Sequence, residues 1–202
     1  TELPCVCPNP DIDSHYFTES DVEYALNLLQ VNQATDCAIV GAFEAQALTG
    51  AAEQLDYLTQ GQLRALLASG DFSGKLNQTW LLHTPHLPCK RVVLVGCGKE
   101  TEFTLAHWLR ALQHGVHAAQ NTQAQEAVCY LSWLKPKDAA GHQLPQQAIA
   151  HLESEQYRFH LLKSRKEAVK PLRKLSFAFL EAEVDYPRIH ESLRLGEALA
   201  AG

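Results

Sequence analysis

The chain has 202 residues, a hydrophobic fraction of 46% and a formal net charge of -6. This composition is typical of a globular domain and excludes collagen-like, coiled-coil and extensively disordered chains. A globally basic nucleic-acid-binding protein is also excluded, because the 23 acidic residues outnumber the 17 basic residues. No apolar run approaches the ~18 residues of a membrane-spanning helix, so we expect no membrane segment.

Residues 1–21 differ in composition from the rest, because they contain several prolines and acidic residues. They predict an N-terminal arm or leader outside the folded domain.

The spacing of apolar residues predicts the secondary structure of the rest of the chain. In chain order, it predicts strands at 24–31 and 37–43, helices at 48–58 and 63–67, strands at 79–83 and 91–95, a helix at 105–119, a strand at 127–134, a helix at 144–162, a strand at 172–180 and a helix at 187–201. This alternation predicts an α/β domain over residues 22–202, with a mixed, mostly parallel sheet between helices.

Two features of the predicted strands are informative. The run 92–95 is continuously apolar, which predicts a strand buried on both faces at the centre of the sheet. Four cysteines lie in or beside apolar runs, where cysteine acts as a small hydrophobic residue: Cys37, Cys89, Cys97 and Cys129. This use of cysteine, with a polar N-terminus that lacks an apolar signal region, favours a cytoplasmic location.

One glycine-rich turn invites a phosphate-binding interpretation. Gly96-Cys97-Gly98-Lys99 follows the run 92–95 and precedes a predicted helix. A P-loop, however, requires a glycine where Val93 stands, and a serine or threonine where Glu100 stands. The pattern therefore favours an ordinary strand-to-helix turn.

Two histidine pairs have a spacing that zinc ligands use, namely His83 with His86 and His114 with His117. Neither pair has a nearby glutamate or cysteine to complete a tetrahedral set. A serine-nucleophile motif is also absent from the sequence. We therefore expect no catalytic residue and no metal site in this chain.

A basic cluster interrupts the acidic sequence between residues 158 and 174, where only Glu167 opposes seven cations. The seven residues are Arg158, Lys163, Arg165, Lys166, Lys170, Arg173 and Lys174. Such a cluster can contact nucleic-acid phosphates or an acidic partner. The alternative interpretation is a solvated helix end that leads into a strand.

Several segments, taken in order, resemble the N-terminal domain of the leucyl aminopeptidase family, which includes cytosol aminopeptidase and bacterial peptidase A. Residues 91–100 are the clearest match, and residues 39–44, 70–79 and 196–202 are among the others. Asn77 departs from the pattern, because the family usually has glycine there. The resemblance implies a three-layer, macro-domain-like fold, and a chain that stops before the family's catalytic domain.

The resemblance also implies what the parent enzyme does. We expect a cytoplasmic homohexamer that removes N-terminal residues from peptides, using two divalent metals, manganese or zinc, held by its own C-terminal catalytic domain. No catalytic or metal-binding residue, and no cofactor, is then expected in this chain. Two alternatives stay open: a DNA-binding module that uses the basic cluster for weak binding, and a nucleotide- or ADP-ribose-binding domain by analogy with macro domains.

Overall fold

A seven-stranded sheet organises the part of the chain that the computed structural model describes, which is residues 22–27, 31–45, 47–162, 172–179 and 185–200. The strands are β1 (Glu23–Asn27), β2 (Cys37–Phe43), β3 (Ala47–Leu48), β4 (Thr79–His83), β5 (Arg91–Gly96), β6 (Glu126–Cys129) and β7 (Lys174–Ala178). Their order is β1-β7-β6-β2-β5-β4, with β3 beside β2. All pairings are parallel except β4 with β5 and β3 with β2.

Helices cover both faces of this sheet. They are α1 (Gly50–Leu58), α2 (Gln62–Ser69), α3 (Leu105–Gln120), α4 (Leu144–Leu162) and α5 (Tyr186–Ala200). Apolar residues of α1 and α2 form one buried cluster with the sheet, and those of α3, α4 and α5 form another on the opposite face. The predicted three-layer α/β architecture with a mixed, mostly parallel sheet is therefore confirmed.

The strand predicted at the centre of the sheet is fully buried. β5 is an inner strand but not the central one, because it lies between β2 and the edge strand β4; residues 92–95 nevertheless have no exposed surface. Alternate side chains point to opposite faces, as strand geometry requires: Val92 and Leu94 pack toward α1 and α2, whereas Val93 and Val95 pack toward α3. The continuous apolar run thus packs against helices on both faces of the sheet.

A carboxylate joins three strands at their amino ends. Asp36, just before β2, accepts a hydrogen bond from Lys90 Nζ at 2.7 Å and another from the Gln125 backbone N–H at 3.1 Å. These residues precede β5 and β6 directly. The hydrogen bonds, with that from Lys90 contributing most, hold the pKa of the Asp36 carboxyl below its usual value.

The predicted strand at 127–134 is wrong beyond Cys129. The last bond to β2 runs from the Tyr130 N–H to the Ile39 carbonyl, and the chain then turns through a short 3₁₀ helix (Leu131–Trp133). An apolar run of this length does not distinguish a buried strand from a buried turn. None of the described helices is both long and apolar enough to cross a membrane.

Candidate functional site

A tight turn packs against the carboxyl ends of β2 and β5. Residues 72–78 pass so close that a Cβ built on Gly74 would lie 2.3 Å from the Phe43 carbonyl oxygen. A Cβ on Gly96 would lie 1.9 Å from the carbonyl oxygen of Lys75. Only glycine fits at these two positions, because backbone approaches backbone there.

The turn and β2 together occupy the N–H groups that a phosphate would need. The N–H of Gly96 donates to the Gln78 carbonyl at 2.8 Å, and that of Gly98 donates to the Gly74 carbonyl at 2.9 Å. Cys97 N–H donates to the Ala42 carbonyl, also at 2.9 Å. The sequence 96–98 is therefore the strand-to-helix turn that the failed P-loop spacing predicted, and no anion cradle is left there.

Asn77 lies in this turn with a φ of 73°, in the left-handed region that favours glycine. Its side-chain oxygen Oδ1 is buried and has no hydrogen-bond partner among the described residues. The departure from the expected glycine thus places a strained, incompletely paired residue at a position where glycine fits without strain.

The two predicted histidine pairs lie apart from any larger donor set. His83 ends β4, and His114 and His117 lie on α3. Partial burial, then the charges of Arg110 and His117, lower the pKa of His114. Within the described ranges, no three His, Cys, Asp or Glu side chains converge as metal ligands. The described donors therefore do not fit a catalytic metal.

The four cysteines of the apolar runs are buried, each with at most 1% of its surface exposed. Burial raises the pKa of the Cys37, Cys97 and Cys129 thiols to about 12. At neutral pH these thiols are protonated and unreactive, since the thiolate is the nucleophile. Their role as small core residues is confirmed.

Most of the predicted basic cluster lies outside the described residues, namely Lys163, Arg165, Lys166 and Lys170. Arg158 belongs to α4, but its side chain is also outside the described set. Arg173 is exposed beside β7, and Lys174 forms an ion pair with Glu23 at 3.0 Å. The structure therefore does not test the cluster as a binding surface, and its role stays a prediction.

A cavity opens at the carboxyl ends of β6 and β7. Its volume is about 450 Å³, within the range of roughly 300 to 1,000 Å³ that is typical of small-molecule sites. It lies between the segment after β6 and the start of α5. The lining residues are Ser132, Trp133, Lys135, Ala139, Ala140, Gly141, His142, Phe179, Asp185, Arg188 and Ile189.

Sequence reasoning did not find this cavity. The predicted strand at 127–134 placed Trp133 inside the sheet, whereas the chain leaves the sheet after Cys129. A usable signal existed, because Trp133 and Phe179 each follow the end of a parallel strand, where α/β sheets bind ligands.

Comparison with known proteins identifies the domain. Residues 39–166, well over half of the chain, match the family described as "Cytosol aminopeptidase family, N-terminal domain". The chain belongs to the cytosol aminopeptidase family. A probable cytosol aminopeptidase of Glaesserella parasuis is 37% identical over 172 residues, which cover 84% of this chain. The chain spans about a third of that relative, since the match covers 34% of it.

Solved structures extend the likeness of this cytosol aminopeptidase domain at the level of fold. A mutant of tomato leucine aminopeptidase superposes with a TM-score of 0.68 at 20% identity, over 89% of this chain and 36% of that one. The macro domain of ganglioside induced differentiation associated protein 2 superposes with a TM-score of 0.60 at 9% identity, over 88% and 84% of the two chains. The macro-domain-like fold implied by the resemblance is confirmed.

Proposed function

We propose that this chain is the non-catalytic N-terminal domain of a leucyl aminopeptidase, a hydrolase that removes N-terminal residues from peptides. The observation that carries the proposal is the match of residues 39–166 to the N-terminal domain of this family. The lengths of the two proteins support it, because the matched region covers only 34% of the Glaesserella parasuis relative. Hydrolysis is then assigned to the region that follows this domain in such proteins.

The proposed enzyme uses two divalent ions, manganese or zinc, which would polarise the peptide carbonyl and activate the attacking water. The described donor groups do not fit such a centre, because no three ligand-type side chains converge in these ranges. The residues of this domain therefore contribute packing and binding surface, and no step of the reaction is assigned to them.

We further propose that the catalytic domain is the direct partner of this domain, within a cytoplasmic homohexamer. Exposed apolar side chains on α5 support a packing role for that helix. Leu195 is 47% exposed and Leu199 is 62% exposed. They lie four residues apart, so they share one face of the helix. Covering this pair would bury apolar surface that the domain alone leaves in water.

An activity assay tests whether this domain alone lacks aminopeptidase activity. Purified 1–202 should not hydrolyse leucine p-nitroanilide with added manganese or zinc, whereas the full-length Glaesserella parasuis relative serves as the positive control. Turnover that persists through further purification and is lost in His83→Ala or His114→Ala would contradict the proposal, because it would place a working metal site in this domain.

A chimera tests the assignment to the enzyme. Residues 22–202 of this chain replace the matched N-terminal region of the Glaesserella parasuis relative, and the chimera should hydrolyse leucine p-nitroanilide. A matched chimera with Leu195→Asp and Leu199→Asp should lose activity, because buried carboxylates would separate the domains. The proposed pairing of this domain with a catalytic domain would be contradicted by an inactive chimera, provided that the chimera is folded and has the same oligomeric state as the relative.

A further inference from the structure

The edge strand β4 has no strand on its outer side among the described residues. Its bonds to β5 include those of the two residues that flank it. The Gln78 carbonyl accepts from the Gly96 N–H at 2.8 Å, and the Thr84 N–H donates to the Lys90 carbonyl at 2.9 Å. Only alternate residues of an antiparallel strand bond to a given neighbour. The backbone N–H and carbonyl groups of the three odd-numbered residues of β4 therefore point outward: Thr79, Leu81 and His83.

The sequence of β4 contains none of the usual features that prevent an edge strand from pairing with another chain, such as lysine, proline or a bulge. The strand reads Thr-Trp-Leu-Leu-His, and it pairs with β5 residue for residue. Trp80 is 39% exposed and Leu81 is 37% exposed. The opposite edge strand, β1, begins instead with the exposed carboxylate of Glu23. An unprotected apolar edge of this kind is typical of a pairing surface.

The strand is complementary to itself when two copies run antiparallel about a twofold axis at Leu81. Leu81 then lies opposite Leu81 of the second copy, and Thr79 lies opposite His83, so these outward residues exchange both backbone hydrogen bonds. On the face of α1 and α2, Trp80 lies opposite Leu82 of the second copy, which forms an apolar cross-strand pair. His83 is the one ionisable side chain of the strand, and its neighbour across the axis is a threonine. This register opposes no like charges.

We propose that β4 pairs with β4 of a second copy of this chain and joins the two sheets into one. A twofold contact uses the same surface on both copies, so Trp80 and Leu81 of each copy are covered together. Strands of this length bury a small area, below the roughly 1,200 Å² of a standard interface, so the dimer is weak. We expect a Kd of about 100 µM or lower. The proposal is independent of the aminopeptidase assignment, since it uses only residues of this domain.

Sedimentation equilibrium of the 202-residue chain measures the association, and amide hydrogen exchange locates it. The amide of Leu81 should exchange about fourfold more slowly at about 1 mM protein than at about 10 µM, because most chains are then paired. The amides of Trp80 and Leu82 already bond to β5, so they are the internal control and should change less. A chain that stays monomeric at about 1 mM, or a dimer without added protection at Leu81, would overturn the proposal.

A charge exchange at the twofold axis tests the register. Leu81→Lys and Leu81→Glu should each raise the Kd at least about tenfold, because each variant places like charges opposite one another. An equal mixture of the two variants should associate again, because opposite charges then meet. Tyr57→Lys is the matched control, since Tyr57 is 85% exposed on α1, and it should leave the Kd unchanged. Urea unfolding verifies that each variant is folded. Failure of the mixture to associate, or an equal loss in the control, would refute the register.

Two other surfaces provide competing explanations for a dimer, and each has its own outcome. If the exposed pair Leu195 and Leu199 on α5 joined the copies, Leu195→Lys would abolish the association. If the basic cluster joined them, added salt would weaken it steeply. The β4 pairing involves no ion pair, so its Kd should change less than about twofold between about 50 and 500 mM sodium chloride. Loss of the dimer in Leu195→Lys, or at high salt, would overturn the proposal.

Discussion

Replacing Gly115 by alanine tests how closely α3 is packed on the sheet. Gly115 lies in the middle of α3 and is buried. A Cβ at this position would lie 2.6 Å from Ile39 Cγ2 and 3.0 Å from Val95 Cγ2. The contact with Ile39 is shorter than real Cβ atoms show, and that with Val95 is tighter than most, so the helix or the strand that carries Ile39 must shift to admit one methyl group.

Two opposing effects decide the sign of the change in stability. Alanine is better than glycine inside a helix by about 1 kcal/mol. Overpacking a well-packed core costs about 1 to 3 kcal/mol. Ile39 is fully buried and β-branched, so its methyl group has no other rotamer to adopt easily. We therefore expect Gly115→Ala to lower the free energy of unfolding by about 1 kcal/mol.

Urea unfolding followed by circular dichroism measures this change. Gly50→Ala is the matched control, because the nearest atom to a Cβ at the start of α1 is 4.0 Å away. That variant should be as stable as the original chain or more so. In the double variant Gly115→Ala with Ile39→Ala, the alanine at 115 should cost less, as a favourable coupling energy. A Gly115→Ala protein more stable than the original would refute the packing argument.

Substitutions at three further positions have expected outcomes that equilibrium unfolding can measure. Asp36→Asn should lose about 1 to 2 kcal/mol at pH 7, and the loss should vanish as the pH falls through the lowered pKa of Asp36, since protonation of the native carboxyl removes the same bonds. Asn77→Gly should gain up to about 1 kcal/mol, whereas Asn77→Ala should gain nothing, because the positive φ persists. Val93→Asp should prevent folding, since an unpaired carboxylate in this fully buried position costs several kcal/mol; the exposed Thr79→Asp is its control.

The layered fold could be predicted because its elements carry their own periodicities. The strands at 37–43 and 79–83 and the helix at 144–162 have the predicted bounds. In each case the apolar residues have the spacing of the element that buries them. The apolar run after residue 127 failed, because a buried 3₁₀ turn and a buried strand require the same hydrophobic composition.

The candidate site could not be predicted, because its residues are far apart in the sequence and come close to one another only in the folded chain. Trp133 and Arg188 line one cavity although 55 positions separate them along the chain. Neither belongs to a motif, and the parallel pairing of β6 with β7 places the ends of these two strands side by side. The glycine-rich turn was the reverse case: it resembled a motif locally, but its N–H groups already donate to the carbonyls of Ala42, Gly74 and Gln78.

The basic cluster predicts weak DNA binding that depends strongly on salt. Seven cations and one carboxylate lie within residues 158–174, whereas the rest of the chain holds 10 basic and 22 acidic residues. Each phosphate contact releases counterions, so log K falls with log salt by about 0.9 for each contact. The pair between Lys174 and Glu23 already neutralises one member of the cluster. The negative remainder opposes approach, so we expect weak binding at physiological salt.

Fluorescence anisotropy with a labelled duplex, at several salt concentrations, measures both the affinity and the slope. The test variant replaces three members of the cluster by alanine: Lys163, Arg165 and Lys166. If each contacts a phosphate, the slope should become shallower by about 3 × 0.9, or roughly 2.7, for every duplex sequence alike. The control replaces three exposed cations elsewhere by alanine: Lys99, Arg110 and Arg194. Binding that is tight, insensitive to salt or reduced equally by the control would contradict the cluster as the cause, because a local phosphate-binding surface must respond to its own charges first.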